Sequence, residues 1–184
     1  MDSEWVDFGL PSGLKWSKCN VGANVPEDYG LYFSWGNVIG YDKDSGHTYD
    51  NAAYASTTGS TLTADIPVNA MYDAAKAIIR DCRMPSSTEF KELNDNTDHE
   101  NTTINGVDGM KFMKKTDHSV FIFIPYSGVY DSSSVSQLGM RCVLWSSTYI
   151  SSGQASFMDI YPGSINPQNN TGIRRMGFAI RPVK

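Results

Sequence analysis

The chain has 184 residues, of which 40% are hydrophobic and 12% aromatic, and its formal net charge is -5. This length and composition suffice to bury a core and favour one folded domain over residues 1–184, which excludes a wholly disordered chain. Lysines and arginines never cluster beyond pairs, so an acidic chain of this kind has no electrostatic attraction for phosphate backbones, and we expect no nucleic-acid partner.

The first residues do not resemble a signal peptide, because Met1 is followed by Asp2, Ser3 and Glu4 instead of a basic start and an apolar run. No stretch approaches the roughly 18 consecutive apolar residues of a membrane span. We therefore expect a soluble chain without membrane insertion, an expectation that leaves its compartment undecided.

The first half of the chain predicts one strand pair, one long loop and one helix. The strand pair is expected at residues 5–16 around the turn LPSG at 10–13, and the polar loop at residues 41–63. Residues 70–79 (AMYDAAKAII) predict a helix, because their apolar side chains fall on one stripe at helical spacing. That stripe comprises Met71, Ala74, Ala75, Ile78 and Ile79.

A second helix is predicted from a capping box, in which Ser86 accepts from the amide of Glu89 and Glu89 reaches back. The helix should run to about Leu93, with Phe90 and Leu93 facing inward. Residues 94–98 (NDNTD) are rich in oxygen ligands but lack the Gly and the terminal Glu of an EF-hand, so we expect a solvated loop there.

The second half predicts mainly strands. The continuous apolar run VFIFI at 120–124 suits a central strand covered on both faces and ended by Pro125. Residues 140–145 are expected to form a buried strand, and the alternating residues 177–183 a final one. Strands at both ends, two helices between them and long loops together predict an α+β fold.

Between these strands, the segment 145–176 is rich in Ser, Asn, Gly, Thr and aromatic residues and poor in charge. Alternation along a strand at 156–161 would separate two faces: Ser156, Met158 and Ile160 on one, Phe157, Asp159 and Tyr161 on the other. An unpaired carboxylate in a core costs several kcal/mol, so we expect the face with Asp159 to meet water. Exposed aromatics among small polar residues are typical of a binding surface, and the alternative is an ordinary edge strand.

Four motifs together resemble a known family. They are VDFGLPSGLKWSKCNVGANVPEDYGLYFSWG at 6–36, CRMPSSTEFKEL at 82–93, LWSST at 144–148 and GFAIRPV at 177–183. The chain resembles the paralogous surface-protein domain of Bacteroidetes and Fibrobacter, which is similar to the formylglycine-generating, sulfatase-modifying branch of the C-type lectin fold. The resemblance implies two short helices packed on small antiparallel sheets, with long loops.

Diversity-generating retroelements draw variable proteins from this family, and rewrite a C-terminal segment by adenine-directed mutagenesis. The resemblance implies that LWSST and GFAIRPV are the fixed frame, that Met158 and Ile160 are framework positions, and that 145–176 is a variable binding segment. The implied ligand-binding positions are Tyr149, Ile150, Ser151, Phe157, Asp159, Tyr161, Asn169, Asn170, Thr171, Ile173 and Arg175. Randomised adenines in an Asn codon can produce all of these residue types but not Met, although many paralogues carry the fold without a retroelement.

The function implied is that of a noncatalytic display domain on a cell surface or phage particle. It would bind a protein or cell-surface ligand and would need no cofactor. One alternative is a structural or adhesive subunit whose 145–176 face packs permanently against a partner.

A second alternative is an enzyme, because the sulfatase-modifying relatives use reactive cysteines near a copper or calcium site. Only Cys142 lies in the corresponding half, in a run that looks like a buried strand, where burial raises a thiol's pKa. The match to the catalytic pattern therefore fails, and we expect no catalysis. Cys19 and Cys82 are likewise expected to be small buried hydrophobes.

The remaining candidate metal and catalytic residues also favour ordinary roles. His47, His99 and His118 stand beside no recognisable nucleophile motif and are expected at the surface or in loops. The triplet NPQ at 166–168 resembles one calcium-ligand triplet of sugar-binding C-type lectins, but Ser146 and Ser147 after Trp145 cannot supply charged ligands. We therefore expect no metal site.

Overall fold

The computed structural model describes residues 5–184. Within them the chain forms three short α-helices, one 3₁₀ turn and ten strands arranged in four small antiparallel sheets. The predicted α+β class is confirmed. Among these residues, no helix has the length and apolar character needed to cross a membrane.

The N-terminal strand pair is confirmed. Strand β1 (Trp5–Asp7) pairs with β2 (Lys15–Ser17), and the turn between them is closed by a hydrogen bond from the Gly13 amide to the Leu10 carbonyl. Gly13 has a φ of 76°, a left-handed conformation that glycine adopts without steric cost.

The prediction of an uninterrupted loop at 41–63 is wrong, because the segment contains helix α1 (Asn51–Ala55) and the 3₁₀ turn Thr58–Thr61. The side chain of Asp50 starts α1 by accepting from the amide of Ala53 at 2.7 Å. A helix of five residues is too short to give an apolar stripe, so its only sequence signal is this cap.

The predicted helix at 70–79 is shorter than expected. Helix α2 (Ala74–Ile79) begins only after Asp73, whose side chain accepts from the Lys76 amide and so caps it. Ala74 and Ala75 are buried, as predicted, but Met71 and Ile78 are exposed, so the expected five-residue stripe does not form.

The capping box and inward face of the next helix are confirmed in α3 (Ser87–Asn96). Ser86 Oγ accepts from the Glu89 amide at 3.3 Å, Glu89 Oε2 accepts from the Ser86 amide at 2.8 Å, and Phe90 and Leu93 are buried. The helix continues to Asn96 and passes directly into a strand, so the loop predicted at 94–98 is wrong.

The second sheet has the order β3 (Thr97–Ile104), β4 (Val107–Lys114), β5 (Asp117–Pro125). Strand β5 ends at Pro125 as predicted but lies at the edge of this sheet, not in its centre. Its residues Ile122, Phe123 and Ile124 are nevertheless buried. Arg181 Nη2 donates to the Phe123 carbonyl at 2.8 Å and so occupies a backbone acceptor of β5.

Two further antiparallel sheets complete the fold. Strands β6 (Val129–Asp131) and β7 (Ser134–Ser136) form a hairpin. Strands β8 (Cys142–Tyr149), β9 (Gln154–Tyr161) and β10 (Ser164–Ile173) form a sheet with β9 in the middle. The strand predicted at 140–145 thus begins at Cys142, and Met140 is exposed.

Residues 177–183 form isolated bridges instead of the predicted regular strand. Phe178 bridges to Phe33 and Ala179 to Leu144 on β8, while Val183 bridges to residues on two other segments. The segment therefore ties several parts of the fold together, which a strand in one sheet would not do.

Candidate functional site

Strand β9 is buried on both faces, which contradicts the expectation that Phe157 and Asp159 meet water. The inward positions Ser156, Met158 and Ile160 are buried as predicted. Phe157 is also buried, at 8% exposure. It belongs to a second core cluster, which is distinct from the cluster that contains Met158 and Ile160.

The ring of Phe157 packs edge-to-face against two aromatic neighbours. Its centroid lies 6.3 Å from that of Trp145 and 5.4 Å from that of Phe178. A Cβ at Gly172 would lie 3.0 Å from atoms of both Phe157 and Trp145, so the neighbouring strand β10 closes tightly over these rings. Phe157 is therefore a core residue and is unavailable to a ligand.

The cover over this face comes from distant parts of the chain. The backbone amide of Trp145 donates to the Ala179 carbonyl at 3.0 Å, and its indole nitrogen donates to the Phe33 carbonyl at 2.8 Å. Phe33 and Ala179 thus lie against β8, and Phe178 packs on Phe157 of β9. The alternation of side chains along β9 does not reveal whether distant segments pack over either face of the strand.

Asp159 is 7% exposed and forms an ion pair that the sequence argument did not anticipate. Arg141 donates to it from Nε at 2.7 Å and from Nη2 at 2.9 Å. Burial alone would lower the pKa of Arg141, but its hydrogen bonds to Asp159 and the charge of Asp159 raise it. The expectation of exposure was wrong because the carboxylate is paired.

Tyr161 lies at the end of β9 and remains half-buried at the surface. The guanidinium of Arg141 lies 5.0 Å from its ring centroid. Of the three residues predicted to face outward, Tyr161 alone retains partial exposure.

The other predicted binding residues divide by exposure. Tyr149, Ser151, Asn170 and Arg175 are half-buried, whereas the exposed ones are Ile150, Asn169, Thr171 and Ile173. The structure therefore removes Phe157 and Asp159 from the predicted surface and leaves the turn after β8 and the second half of β10.

We name this surface the C-terminal rim and define it as residues 150–154, 169–171 and 173. Gln154 is its centre: its carbonyl accepts from the Ile150 amide at 3.3 Å and from the Ser151 amide at 2.9 Å, and Ile173 is its partner in the β9–β10 ladder. Ile150 and Ile173 are each 46% exposed. Two large apolar side chains thus flank one exposed residue.

A bulge shapes the other part of the rim. The register between β9 and β10 shifts between Asn166 and Asn170, and Asn169 within it has a φ of 65°. Asparagine tolerates this left-handed conformation better than most residues. The Asn170 side chain donates to the Asn166 carbonyl at 2.8 Å, which closes the bulge.

Two of the predicted binding residues instead contact other parts of the fold. The amide of Tyr149 donates to Asp65 Oδ1 at 2.7 Å, and its ring lies 6.2 Å from that of Trp35. Arg175 forms an ion pair with Asp131 and donates to the Tyr49 carbonyl at 2.9 Å. The backbone amide of Tyr149 and the guanidinium of Arg175 are therefore already engaged within the fold.

Arg174, which the sequence did not single out, anchors the rim. It is 1% exposed and donates to the carbonyls of Ser151 at 3.3 Å and Ser152 at 3.0 Å. It also donates to the Leu62 and Gly59 carbonyls and to the Tyr54 hydroxyl. Within residues 5–184 all its hydrogen-bond acceptors are therefore carbonyl or hydroxyl oxygens, and they join the rim to the segment 54–62.

The cysteines lie where they have little reactivity. Cys82 and Cys142 are buried as predicted, whereas Cys19 is half-buried, and all three are free. Burial raises the pKa of Cys142 to about 11 and that of Cys82 to about 12, and it also raises the pKa of Cys19. A high thiol pKa leaves almost no thiolate near neutral pH.

The histidines lie at the surface and do not converge. His99 and His118 are exposed, and His118 Nε2 lies 2.8 Å from Asp98 Oδ2. His47 is half-buried against Tyr41. In the described part of the chain, no group of three or more His, Cys, Asp or Glu residues could hold a metal ion.

Comparison of the chain with protein-family models, with curated proteins and with solved structures found no match.

Proposed function

We propose that this protein is a noncatalytic ligand-binding domain with a C-type lectin-like fold, which binds a protein or cell-surface ligand through the C-terminal rim. The observation that carries the proposal is the pair Ile150 and Ile173, each 46% exposed. Ile150 lies in the turn between β8 and β9, and Ile173 lies opposite Gln154 on β10. Large apolar side chains surrounded by adaptable polar groups are the usual composition of a binding surface.

The composition of the rim around these two side chains supports the proposal. Ser152, Gly153, Gln154, Asn169 and Thr171 are exposed, and none of them is charged. Such a surface excludes water from an apolar contact without burying an unpaired charge. The rim would therefore contact a ligand surface that is itself largely uncharged.

The rigidity of the frame also supports display. Arg174 fixes the carbonyls of Ser151 and Ser152, so the turn does not need to become ordered when a ligand binds. Preorganisation of this kind increases affinity because less conformational entropy is lost on association.

We further propose that the rim is the variable segment of a diversity-generating retroelement. Exposed side chains that no core depends on can change with effects on stability of about 0.5 kcal/mol or less. Phe157 and Asp159 do not meet this condition, so we exclude them from the varied positions. A near-copy of these codons beside a reverse-transcriptase gene, differing at adenines in the rim codons, would support this proposal, and differences concentrated at the codons of Phe157 and Asp159 would refute it.

Binding of the fluorescently labelled protein to intact bacterial cells tests the display function. We expect saturable binding that the double variant Ile150→Ser/Ile173→Ser reduces at least tenfold, because each apolar anchor contributes on the order of 1 kcal/mol or more. Met140→Ser is the matched control, since Met140 is exposed and lies outside the rim. Equal binding by the double variant and the control would contradict the proposal.

A solution measurement of mass distinguishes display from the structural alternative. A display domain is expected to be a monomer whose mass does not depend on concentration. A stable oligomer that Ile150→Ser/Ile173→Ser dissociates would instead mean that the rim is a permanent subunit interface.

A further inference from the structure

A second concave surface lies outside the C-terminal rim. The segment 37–47 and the residues around α1 line a groove of about 440 Å³, to which Met71 also contributes. This volume falls in the range of about 300–1,000 Å³ that is typical of small-molecule sites. We name it the tyrosine groove, after Tyr41 and Tyr54 in its lining.

One part of the tyrosine groove is apolar and flat. The rings of Tyr41 and His47 are stacked, with centroids 3.6 Å apart and an angle of 4° between their planes. Ile39 and Met71 also line the groove, and both are exposed large apolar side chains. Exposed apolar surface inside a concavity marks it as a site that a ligand can cover.

The hydroxyl groups of the lining are oriented by the backbone. Ser34 donates to the Arg175 carbonyl at 2.9 Å, Ser56 to the Ala53 carbonyl at 2.7 Å, and Thr57 to the Tyr54 carbonyl at 2.8 Å. Because each hydroxyl hydrogen is already donated, the oxygen offers its remaining lone pairs as acceptors. These residues therefore supply hydrogen-bond acceptors to the groove.

The same lining also supplies donors. Asn37 Oδ1 accepts from the Ile39 amide at 3.2 Å, which fixes the orientation of the side-chain amide. Within residues 5–184, neither the Asn37 Nδ2 group nor the Tyr41 hydroxyl has a hydrogen-bond partner. The groove thus combines unpaired donors, oriented acceptors and a flat aromatic pair.

The charge of the groove narrows the choice of ligand. Among the described residues that line it there is no lysine or arginine, and Asp50 is the one carboxylate. Burial lowers the pKa of His47, so its ring is neutral near pH 7. Anions have no counter-charge there, and the Asn37 Nδ2 group, which can only donate, favours a ligand with hydrogen-bond acceptors over a cation.

We propose that the tyrosine groove binds a neutral saccharide. A pyranose ring presents an apolar C–H face, which suits the aromatic and aliphatic side chains, and hydroxyl groups around its edge that both donate and accept. These hydroxyl groups can donate to Ser34, Ser56 and Thr57 and accept from Asn37 and Tyr41. This site is separate from the C-terminal rim, whose residues are absent from its described lining.

Saturation-transfer NMR on the intact protein tests the proposal with a fixed panel at millimolar concentration. The panel contains glucose, galactose, mannose and N-acetylglucosamine as neutral sugars, sialic acid as an anion and choline as a cation. We expect transfer to at least one neutral sugar and none to sialic acid or choline. Transfer to none of the four neutral sugars, or transfer to choline or sialic acid alone, would overturn the proposal.

Variants locate the binding and separate it from the rim. Tyr41→Ala should weaken the affinity for the neutral sugar at least tenfold, and Tyr41→Phe, which keeps the stacked ring, should weaken it about threefold to tenfold. If Tyr41→Ala does not fold, Tyr41→Phe decides the test. Ile150→Ser/Ile173→Ser should leave sugar binding unchanged, and binding lost in that variant but retained in Tyr41→Phe would contradict this placement.

Discussion

Asp159 shows why a single charged residue does not reveal which face of a strand is exposed. A carboxylate in a core is costly only when it lacks a partner, and Arg141, 18 residues earlier in sequence, supplies two hydrogen bonds to it. Nothing in the local pattern around Asp159 identifies that partner. The pair places a charge close to the core while both groups remain compensated.

The Asp159 and Arg141 pair gives a prediction at this scale. Asp159→Ala should lower the free energy of unfolding by about 3 kcal/mol, because it leaves a largely buried guanidinium without its counter-charge. The double variant Asp159→Ala/Arg141→Met should recover much of that loss, since no charge then remains to be compensated. Chemical denaturation of the three proteins measures this, and a double variant as unstable as Asp159→Ala would show that the pair acts otherwise.

At the scale of elements, the sequence predicts a feature well when its signal is local. The capping box at Ser86 and Glu89 predicts the start of α3, the turn at 10–13 predicts the β1–β2 hairpin, and Pro125 predicts the end of β5. Each signal and its structural effect lie within a few residues of one another.

Features that depend on distant contacts were predicted less well. The faces of β9 depend on cover by residues 177–183, and the edge position of β5 depends on the order of strands in the sheet. The start of α2 was predicted too early for a local reason. The apolar stripe begins at Met71, but the N-cap at Asp73 lies within that stripe and sets the true start of the helix. For the candidate site, the sequence proposed the segment 145–176 but did not predict which of its side chains reach the surface.

Helix α3 gives a prediction of pH dependence through Glu89. Burial alone would raise the pKa of Glu89, but hydrogen bonds from Arg83 and the Ser86 amide, with the charge of Arg83, hold it below its ordinary value of 4.5. A lowered pKa in the folded state means that the unfolded state binds more protons as pH falls. The stabilisation is therefore complete above about pH 4.5 and is lost as pH falls through the lower folded value.

Glu89→Gln isolates this effect because it removes the charge and keeps an acceptor for the Ser86 amide. We expect the variant to be less stable than the wild type by about 1 kcal/mol at pH 7, with a gap that closes towards pH 3. Denaturation curves across this pH range measure the gap. Glu100→Gln, at an exposed position in β3, is the matched control. A gap for Glu89→Gln that is constant from pH 7 to about pH 3 would contradict the assignment.

At the scale of the whole molecule, two buried arginines join segments that are far apart in sequence. Arg181 donates to the Asn20 side chain and to the carbonyls of Lys18 and Phe123, and burial lowers its pKa to about 10. Arg174 joins the C-terminal rim to the segment 54–62 in the same way. These internal hydrogen bonds hold the fold together, so it does not depend on the exposed side chains of Ile150 and Ile173.

The core on both faces of β9 is separate from the exposed C-terminal rim, and thermal unfolding of two variants tests this separation. Ile150→Ser/Ile173→Ser should change stability by at most about 1 kcal/mol, a shift of no more than about 4 °C in Tm. Phe157→Ala should cost about 3–5 kcal/mol and lower Tm by at least about 6 °C, because it leaves a cavity beside Trp145 and Phe178. Equal Tm losses in the two variants, or a Phe157→Ala protein that melts like the wild type, would contradict the claim.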